Sequence, residues 1–275
     1  MKQLSNLRYL QVNNCNMLQS LTELPLSLKF LSASGCKQLQ SIPDASELVE
    51  ANFIFTNCPN LEETAVGNIL ATVEQYKGER DLFSFICPGS KVPGWFSSKS
   101  DESSIKFRMA WHACFNGLLP EFIVCAVIEF EEYRFDVNVE DELRVECRWT
   151  YSDGDESDPL TRSCGCTLID AFRIVTLIDS DHVALWHCKD FDRPVLKSEF
   201  TNCSFEFWLS EDSPNCRVKS CGVRPITKIR DEDDKVEYAE PIKIFGVTIE
   251  DIGETSGKRS HISNDHQEEP PPSFA

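Results

Sequence analysis

The sequence has no long apolar run and no excess of positive charge. Its most apolar stretch, residues 122–130, is interrupted by Glu129 and is far shorter than the roughly 20 residues that span a bilayer. The 45 Asp and Glu residues outnumber the 27 Lys and Arg residues, which gives a formal net charge of −18. Nucleic-acid backbones and anionic membrane surfaces attract basic faces, so this balance predicts neither a nucleic acid nor a membrane as partner.

Motifs typical of catalysis and nucleotide binding are also missing. No Gly-x-x-x-x-Gly-Lys-Ser/Thr loop occurs, and the similar string at residues 253–259 is one residue short and lacks the metal-binding hydroxyl. The five histidines are not accompanied by a Gly-x-Ser-x-Gly elbow or another nucleophile context. The sequence therefore predicts no enzyme, no catalytic residue and no bound cofactor.

Two groups of candidate metal ligands have the wrong spacing. Cys164-Gly165-Cys166, expected in a turn, and His187-Cys188 could together supply four zinc ligands, but a Cys-x-Cys pair lacks the gap of structural zinc sites. The acidic segment 151–158 fails the register of an EF-hand. We expect no metal site, with zinc as the less favoured alternative. The segment 151–158 is predicted to be a solvated hairpin loop that is open to partner contact.

Thirteen cysteines raise the question of redox compartment. Residues 1–6 contain no apolar signal-peptide core. The cysteine count is odd and the spacings suggest no small disulfide scaffold. We therefore expect reduced, mostly buried cysteines in an intracellular protein of the cytoplasm, the nucleus or both.

Three cysteine-containing strings recur at a nearly constant interval near the N-terminus. They are Asn14-Cys15-Asn16, Gly35-Cys36-Lys37 and Asn57-Cys58-Pro59, with cysteine spacings of 21 and 22 residues, and leucines recur in step. This period predicts that residues 1–61 are leucine-rich repeats in which Cys15, Cys36 and Cys58 are buried in the turns. Because such units are stable only when stacked, we expect the C-terminal end of a longer solenoid.

Residues 62–81 are predicted to form a capping helix and a linker. Apolar residues recur with the i, i+3, i+4, i+7 spacing of an amphipathic helix at Val66, Ile69, Leu70 and Val73. Two glutamates suit its first turn, where the helix dipole is positive. Because this segment follows the last repeat, we expect it to shield the open end of the solenoid.

Residues 82–230 contain short runs with strand character. Along residues 143–149, apolar and polar side chains alternate, as on a half-buried strand. Eight such runs without a helical pattern predict a β-sandwich or jelly roll, and the strand order stays open. The predicted strands are residues 83–87, 104–108, 122–130, 142–150, 171–177, 182–188, 204–209 and 217–223.

Residues 231–275 have the composition of a tail. They contain 12 acidic and 4 basic residues, and their end is rich in proline. Chains of this kind bury too little apolar surface to fold alone, so we expect an acidic, Pro-rich and mostly disordered tail. Residues 242–249 could add one more strand.

The most specific local string is Pro88-Gly-Ser-Lys-Val-Pro-Gly-Trp95-Phe96. Two turns that contain proline present Trp95 and Phe96 as an aromatic pair. Two roles stay open for this pair. It packs as an anchor between the domain edge and the core, or it contacts a ligand.

In their order, these segments resemble the C-terminal end of plant TIR–nucleotide-binding–leucine-rich-repeat disease resistance proteins. The resemblance covers about residues 1–226 and rests on the strings Asn57 to Leu61, Pro88 to Phe96 and Val218 to Arg224, with the helix between the first two. It implies an Ig-like jelly-roll domain (C-JID) after the repeats, and hence a mainly β protein. The NAD-cleaving and nucleotide-switching activities of the full-length family are not implied, because the corresponding domains are absent from this sequence.

The resemblance implies a non-catalytic recognition module of an intracellular immune receptor. The repeats and the sandwich loops would together contact a protein ligand, a pathogen effector. The candidate contact residues are Trp95, Phe96, Tyr151, Asp153 and Asp155. The alternative is a structural role, either as a cap or packing module of the receptor or as a truncated fragment without independent activity.

Overall fold

A computed structural model describes thirteen segments of the chain. These are residues 4–21, 23–42, 51–76, 83–110, 121–134, 142–152, 159–169, 177–189, 200–211, 213–226, 229–230, 236–237 and 244–245. Across them the protein is mainly β, with fifteen strands and one helix, which confirms the predicted fold class. No helix in these segments is both long and apolar enough to cross a bilayer.

The N-terminal repeats form three short parallel strands, β1 (Tyr9–Gln11), β2 (Phe30–Ser32) and β3 (Asn52–Ile54). In each repeat the residue before the cysteine has a positive φ: 56° at Asn14, 73° at Gly35 and 58° at Asn57. Asn and Gly are the residues that adopt this left-handed conformation most readily. The Asn/Gly-Cys pattern in the sequence therefore marks the turn that follows each strand.

The cysteines after these turns differ in burial. The Cys36 thiol donates to the Val12 carbonyl and the Cys58 thiol to the Ala33 carbonyl, each at 3.0 Å. Both are buried, as predicted, whereas Cys15 is exposed. The carbonyl that covers each thiol lies 24 or 25 residues earlier, in the preceding repeat. Cys15 belongs to the first of the three described repeats, and the prediction of burial is wrong for it.

The predicted helix is present as α1 (Glu63–Glu74), and it buries Ala65, Ile69 and Val73. Its apolar stripe joins the repeat leucines in one core cluster. It does not cover the edge of the repeat sheet, however. That edge pairs in parallel with β4 (Ser84–Pro88), the first strand after the helix. The sheet of the repeats thus continues directly into the next part of the chain.

The remaining strands build a sandwich. They are β5 Ser98–Ser100, β6 Ser104–Ala110, β7 Glu121–Phe130, β8 Leu143–Ser152, β9 Leu160–Ile169, β10 His182–Cys188, β11 Phe200–Leu209, β12 Cys216–Ile226, β13 Ile229–Arg230, β14 Val236–Glu237 and β15 Ile244–Phe245. Sheet 1 has the order β1-β2-β3-β4-β10-β7-β12-β5, and sheet 2 has the order β15-β6-β11-β8-β9. A separate pair, β13 and β14, completes the described strands.

Sheet 1 has a hydrophobic core on each of its faces. One cluster fills the space between the two sheets, and the other lies between sheet 1, the repeat leucines and α1. All of β7 except Glu129 is buried. A strand covered on both faces reads as a continuous apolar run rather than an alternating one, which explains the sequence of residues 122–130.

Four described strands, β5, β9 and the two-residue strands β13 and β14, were not predicted, and one predicted strand cannot be compared. β5 contains Lys99 and β9 contains Gly165, and both residue types are depleted in strands. The expectation of a turn at Cys164-Gly165-Cys166 is wrong, because these residues lie in the middle of β9, an edge strand that is only partly buried. The strand predicted at residues 171–177 falls almost entirely outside the described residues.

Candidate functional site

One face of sheet 1 is shared by the repeats and the sandwich. The register pairs Tyr9 with Phe30, Phe30 with Asn52, Asn52 with Ser84, and Ser84 with Trp186. Directly paired residues point to the same face of a sheet, so these five form one continuous row. Tyr9 is 71% exposed and Trp186 only 2%. The row therefore runs from an open surface on the repeats to a position beneath sheet 2.

A groove of about 530 Å³ lies where this row passes under the edge of sheet 2. We call it the β9 groove. Its floor includes Phe30, Asn52, Ser84 and Trp186, and its wall is β9. The lining residues are Phe30, Asn52, Ile54, Phe83, Ser84, Arg144, Trp149, Arg162, Ser163, Cys164, Gly165, Cys166, Thr167, Trp186, His187 and Lys189.

Strand β9 is fastened to sheet 1 and to the repeats. Cys164 forms a disulfide with Cys188 at the end of β10, and the Trp186 indole N–H donates to Cys164 Sγ at 3.1 Å. Further along, the Thr56 hydroxyl donates to the Leu168 carbonyl at 2.6 Å. The expectation of reduced cysteines throughout is thus wrong for Cys164 and Cys188, while the ten other described cysteines are free. Sequence spacing missed this bond because it joins strands of different sheets, the edge strand β9 of sheet 2 and the interior strand β10 of sheet 1.

The groove carries a local group of cations in an acidic chain. Arg144, Arg162 and Lys189 line it. Arg144 Nε donates to Glu146 Oε1 at 2.8 Å, and this hydrogen bond raises the pKa of the Arg144 guanidinium. A Cβ at residue 165 would overlap the Glu146 carboxylate, so Gly165 is what lets this carboxylate lie against β9. The Arg144–Glu146 pair is thereby held at the rim of the groove.

The third repeat is hydrogen-bonded to the sandwich through a buried histidine. The Asn57 N–H donates to His182 Nε2 at 2.9 Å, and His182 Nδ1 lies 2.9 Å from the Ser180 carbonyl. Because Nε2 accepts, Nδ1 must carry the proton and donate. Burial lowers the pKa of His182 to about 4. The neutral ring therefore joins the last repeat turn to the start of β10.

The predicted aromatic pair packs against the sandwich and α1. The rings of Trp95 and Phe96 are stacked with centroids 4.3 Å apart. Phe96 is buried in the core, while Trp95 is half-buried. Arg224 lies 5.2 Å from the centroid of the Trp95 ring and donates to the Glu74 carbonyl at the end of α1. Burial lowers the pKa of this arginine. These contacts fit the first of the two roles, in which Trp95 and Phe96 anchor the edge of the domain to its core.

Of the other predicted contact residues, Tyr151 lies within the part of the chain that the structure describes. Tyr151 is 2% exposed and lies in the core between the sheets, so its side chain cannot meet a partner on the folded surface. Asp153 and Asp155 lie outside the described residues. Strands β8 and β9, which flank them, are antiparallel neighbours.

The residues considered for zinc are not brought together as a ligand set. Cys164 and Cys188 are bonded to each other, and His187 Nε2 lies 2.9 Å from the Glu121 carboxylate, with the Tyr76 hydroxyl 3.4 Å from its Nδ1. Among the described residues no group of three or more His, Cys, Asp or Glu side chains is arranged to hold a metal.

Sequence reasoning missed the wall of the groove. The sequence of this wall, strand β9, does show the alternation of a strand. One face carries Leu160, Arg162, Cys164, Cys166 and Leu168, and the other carries Thr161, Ser163, Gly165 and Thr167. This is the period of a strand with one inward face. The Cys164-Gly165-Cys166 string was instead interpreted as a turn with possible zinc ligands.

Comparison with known proteins agrees with this architecture. The model of the C-JID domain family matches residues 87–233. The chain is 28% identical over 255 aligned positions to disease resistance protein LAZ5 of Arabidopsis thaliana, covering 82% of this chain and 21% of that protein. It is 30% identical to disease resistance protein RPS4 of the same plant over 177 positions, covering 56% of this chain and 14% of the relative. It is 25% identical to disease resistance protein RPP2B over 301 positions, covering 94% and 24%.

The chain thus spans between about a seventh and a quarter of the length of these relatives. The match to the family model covers the sandwich, and the longer alignments extend the similarity into the repeats. The chain therefore belongs to the C-JID domain family and is a homologue of plant TIR–nucleotide-binding–leucine-rich-repeat disease resistance proteins.

Proposed function

We propose that this chain is a non-catalytic recognition module that binds a protein ligand, a pathogen effector, in plant defence. The observation that carries the proposal is the row from Tyr9 to Trp186, which joins an open repeat face to a groove under the sandwich. Repeat proteins use extended surfaces of this kind to bind large partners. The names of the homologous disease resistance proteins support a role in defence.

The proposed contact surface differs from the one expected from the sequence. Its centre is the face of Tyr9, Phe30 and Asn52 together with the β9 groove. Trp95, Asp153 and Asp155 stay in the proposal as peripheral contacts. The burial of Phe96 and Tyr151 gives these two residues a packing role instead.

The proposed setting is intracellular, in the cytoplasm, the nucleus or both, with neither nucleic acid nor membrane as partner. The net charge of −18 supports the exclusion of polyanionic partners. The disulfide between Cys164 and Cys188 argues against this setting, because cytosolic thiols are kept reduced. Acid-quenched alkylation of the protein in plant cells tests the point. Alkylation of both cysteines supports a reducing compartment, and protection of both contradicts it.

Binding of purified effectors by the full chain tests the proposed recognition. We would measure a panel of secreted pathogen effectors by biolayer interferometry, with Tyr9→Ala and Asn52→Ala on the shared face. Met17→Ala is the matched control, because Met17 is 79% exposed and does not line the groove. Binding that is lost in the first two variants and kept in the control, at unchanged melting temperature, supports recognition by this face. Binding that is unaffected by all three, or no binding at all, contradicts it.

A structural role is the second candidate, and one observation favours it. The third repeat is bonded to both sheets, through Asn57 to His182 and through Thr56 to Leu168. A module whose task is to cover the last repeat would need these contacts and no exposed site. In that case substitutions at Tyr9 and Asn52 would leave immune signalling by a full-length homologue unchanged, whereas substitution of Thr56 would impair it.

A further inference from the structure

The Cys164–Cys188 disulfide fastens the wall of the β9 groove to sheet 1. Cys164 lies in the middle of β9, a strand of sheet 2, and Cys188 is the last residue of β10 in sheet 1. A covalent bond between two sheets can be broken without breaking the backbone pairing inside either sheet. Reduction of this bond would therefore change how the two sheets are held together and would leave each sheet intact.

One half of the disulfide is open to a reductant. Cys164 is only partly buried and lines the β9 groove. Cys188, in contrast, is 1% exposed and is not among the lining residues. The groove volume of about 530 Å³ lies in the usual range of sites that admit small molecules. A small thiol can therefore reach the Cys164 sulfur from the groove, while Cys188 is covered by the fold.

A hydrogen bond from Trp186 favours the release of Cys164 as a thiolate. The Trp186 indole N–H donates to Cys164 Sγ at 3.1 Å, and Trp186 is 2% exposed. A hydrogen-bond donor stabilises the charged form of the sulfur that it faces. A sulfur with a more stable thiolate is also a better leaving group in thiol–disulfide exchange. The step that frees Cys164 is therefore favoured.

Most other described cysteines are shielded from the same chemistry. Nine of the ten free cysteines in the described residues are buried, and Cys15 is exposed. Burial raises the pKa of most of the buried thiols. Because the thiolate is the reactive form, these cysteines should exchange slowly in the folded chain. Exchange within the described residues should therefore concentrate at Cys164 and at Cys15, which serves as a control.

We propose that the Cys164–Cys188 disulfide is a redox-sensitive latch, a bond that small thiols open through Cys164 and that glutathione disulfide closes again. Opening the latch releases the wall of the β9 groove from sheet 1. In reducing compartments, the disulfides that do occur are usually transient, with catalytic or redox-sensing roles. The latch goes beyond the proposed recognition function and does not depend on it.

Glutathione supplies the electrons and protons of the opening reaction. The thiolate of one glutathione attacks Cys164 Sγ, a mixed disulfide forms there, and the Cys164–Cys188 bond breaks as Cys188 leaves and takes up a proton. A second glutathione thiolate then attacks the glutathione sulfur of the mixed disulfide. Cys164 leaves and takes up a proton, and glutathione disulfide is the product. Two electrons and two protons thus pass from two glutathione molecules to the cysteine pair, and the reverse sequence closes the latch.

The opening should loosen the middle of β9 more than its C-terminal end. The Thr56 hydroxyl donates to the Leu168 carbonyl at 2.6 Å, and β9 pairs with β8 along its length. Neither contact involves the disulfide, so both persist when the bond is reduced. The wall of the groove should therefore move around Cys164 and stay tied to the third repeat at Leu168.

Equilibration of the purified full chain with glutathione redox buffers tests the latch. Acid quenching, alkylation and mass spectrometry measure the fractions of disulfide and dithiol at each ratio of reduced to oxidised glutathione. The pair should convert reversibly, without denaturant, over the ratios that occur in cells. A bond that stays formed until urea unfolds the chain would overturn the proposal. A pair that glutathione disulfide alone does not oxidise would overturn it as well.

Two variants identify the sulfur that is attacked. Cys188→Ser and Cys164→Ser are each made in a Cys15→Ser background and treated with glutathione disulfide, and peptide mapping locates the bound glutathione. Cys164 in the first variant should be modified about tenfold or more faster than Cys188 in the second, because Cys188 is buried. Equal rates would overturn the assignment of Cys164 as the reactive half. If a variant does not fold, the titration of the wild type still decides whether the latch exists.

Hydrogen exchange of the oxidised and reduced wild type measures what the latch holds. Peptides that contain Cys164 or Cys188 should exchange several-fold faster after reduction, while those of β3 and β4 stay unchanged. The Cys164→Ser/Cys188→Ser double variant should match the reduced wild type and lose its response to glutathione, whereas Cys15→Ser should respond as the wild type does. Identical exchange in the two redox states, or faster exchange throughout the chain, would overturn a local latch. None of these outcomes depends on the binding of an effector.

Discussion

His182 should make the stability of the chain depend on pH between about 6.5 and 4. The ring is buried at the junction of the third repeat and the sandwich, where its Nε2 accepts from Asn57, and burial lowers its pKa from 6.5 to about 4. The unfolded chain therefore binds a proton at this site at a higher pH than the folded chain does. Stability must then be present above pH 6.5 and fall as the pH falls toward 4.

The size of the effect follows from the two pKa values. Linkage between a pKa of 6.5 in the unfolded chain and one of about 4 in the folded chain gives a loss of about 2 kcal/mol at pH 5 and about 3 kcal/mol at pH 4. Protonation also replaces the acceptor at Nε2 by a donor that faces the Asn57 N–H. We expect the last repeat to separate from β10 before the sandwich unfolds.

Urea unfolding of the wild type and of His182→Gln at pH 7.5, 6, 5 and 4.5 measures this contribution. Gln keeps a hydrogen-bond acceptor and cannot titrate, so carboxylates affect both proteins alike. The wild type should lose about 2 kcal/mol more than the variant between pH 7.5 and 5. Parallel pH curves for the two proteins would refute the assignment of a neutral, buried His182.

Three further predictions concern the cores and the groove. Cys58→Ala should cost about 1–2 kcal/mol in urea unfolding, because its thiol is buried and donates to a repeat carbonyl, whereas Cys15→Ala should change stability by less than about 0.5 kcal/mol. Equal effects would contradict the difference in burial. Gly165→Ala should destabilise by about 1–3 kcal/mol through overlap with the Glu146 carboxylate and with the Val145 carbonyl oxygen, and Glu146→Ala should remove the part of that cost due to the carboxylate in a double-mutant cycle. Additive effects would contradict the overlap with the carboxylate. Trp149→Ala should lower the free energy of unfolding by about 3–5 kcal/mol, since the ring fills the core between the sheets, and a cost near zero would contradict its burial.

Much of the fold could be predicted because the local patterns were strong. The Asn-Cys and Gly-Cys turns carry positive φ values that few residues adopt, so their recurrence marked the repeats. Helix α1 followed from its apolar stripe, and β7 from a run that is buried on both faces. Each of these signals lies within one element and depends little on the rest of the chain.

The continuity of sheet 1 could not be predicted, because it depends on the pairing of β3 with β4, which are separated in the sequence by α1. Strand β4 was expected to open a separate sandwich, yet it pairs in parallel with β3 and in antiparallel with β10. Nothing in the sequence of residues 84–88 distinguishes these partners. Strand order of this kind is set by long-range packing and not by propensity.

The candidate site was harder to predict than the fold. Tyr151 follows the alternation of β8 correctly, but its register places it inside the sandwich and not on a loop. The groove depends on β9, whose polar residues and glycine hid its strand character. The pairing of Cys164 with Cys188 depends on the approach of two sheets, which sequence spacing does not reveal.

The central claim is that the repeats and the sandwich share one sheet, so that the β9 groove is formed before a partner arrives. Hydrogen exchange of the free chain, followed by mass spectrometry, tests this claim through the peptides that contain β3 and β4. The Phe55 N–H donates to the Ile86 carbonyl at 2.9 Å across this junction. We predict that both strands are protected to the same degree and open together. Rapid exchange in β3 beside a protected β4 would contradict the claim.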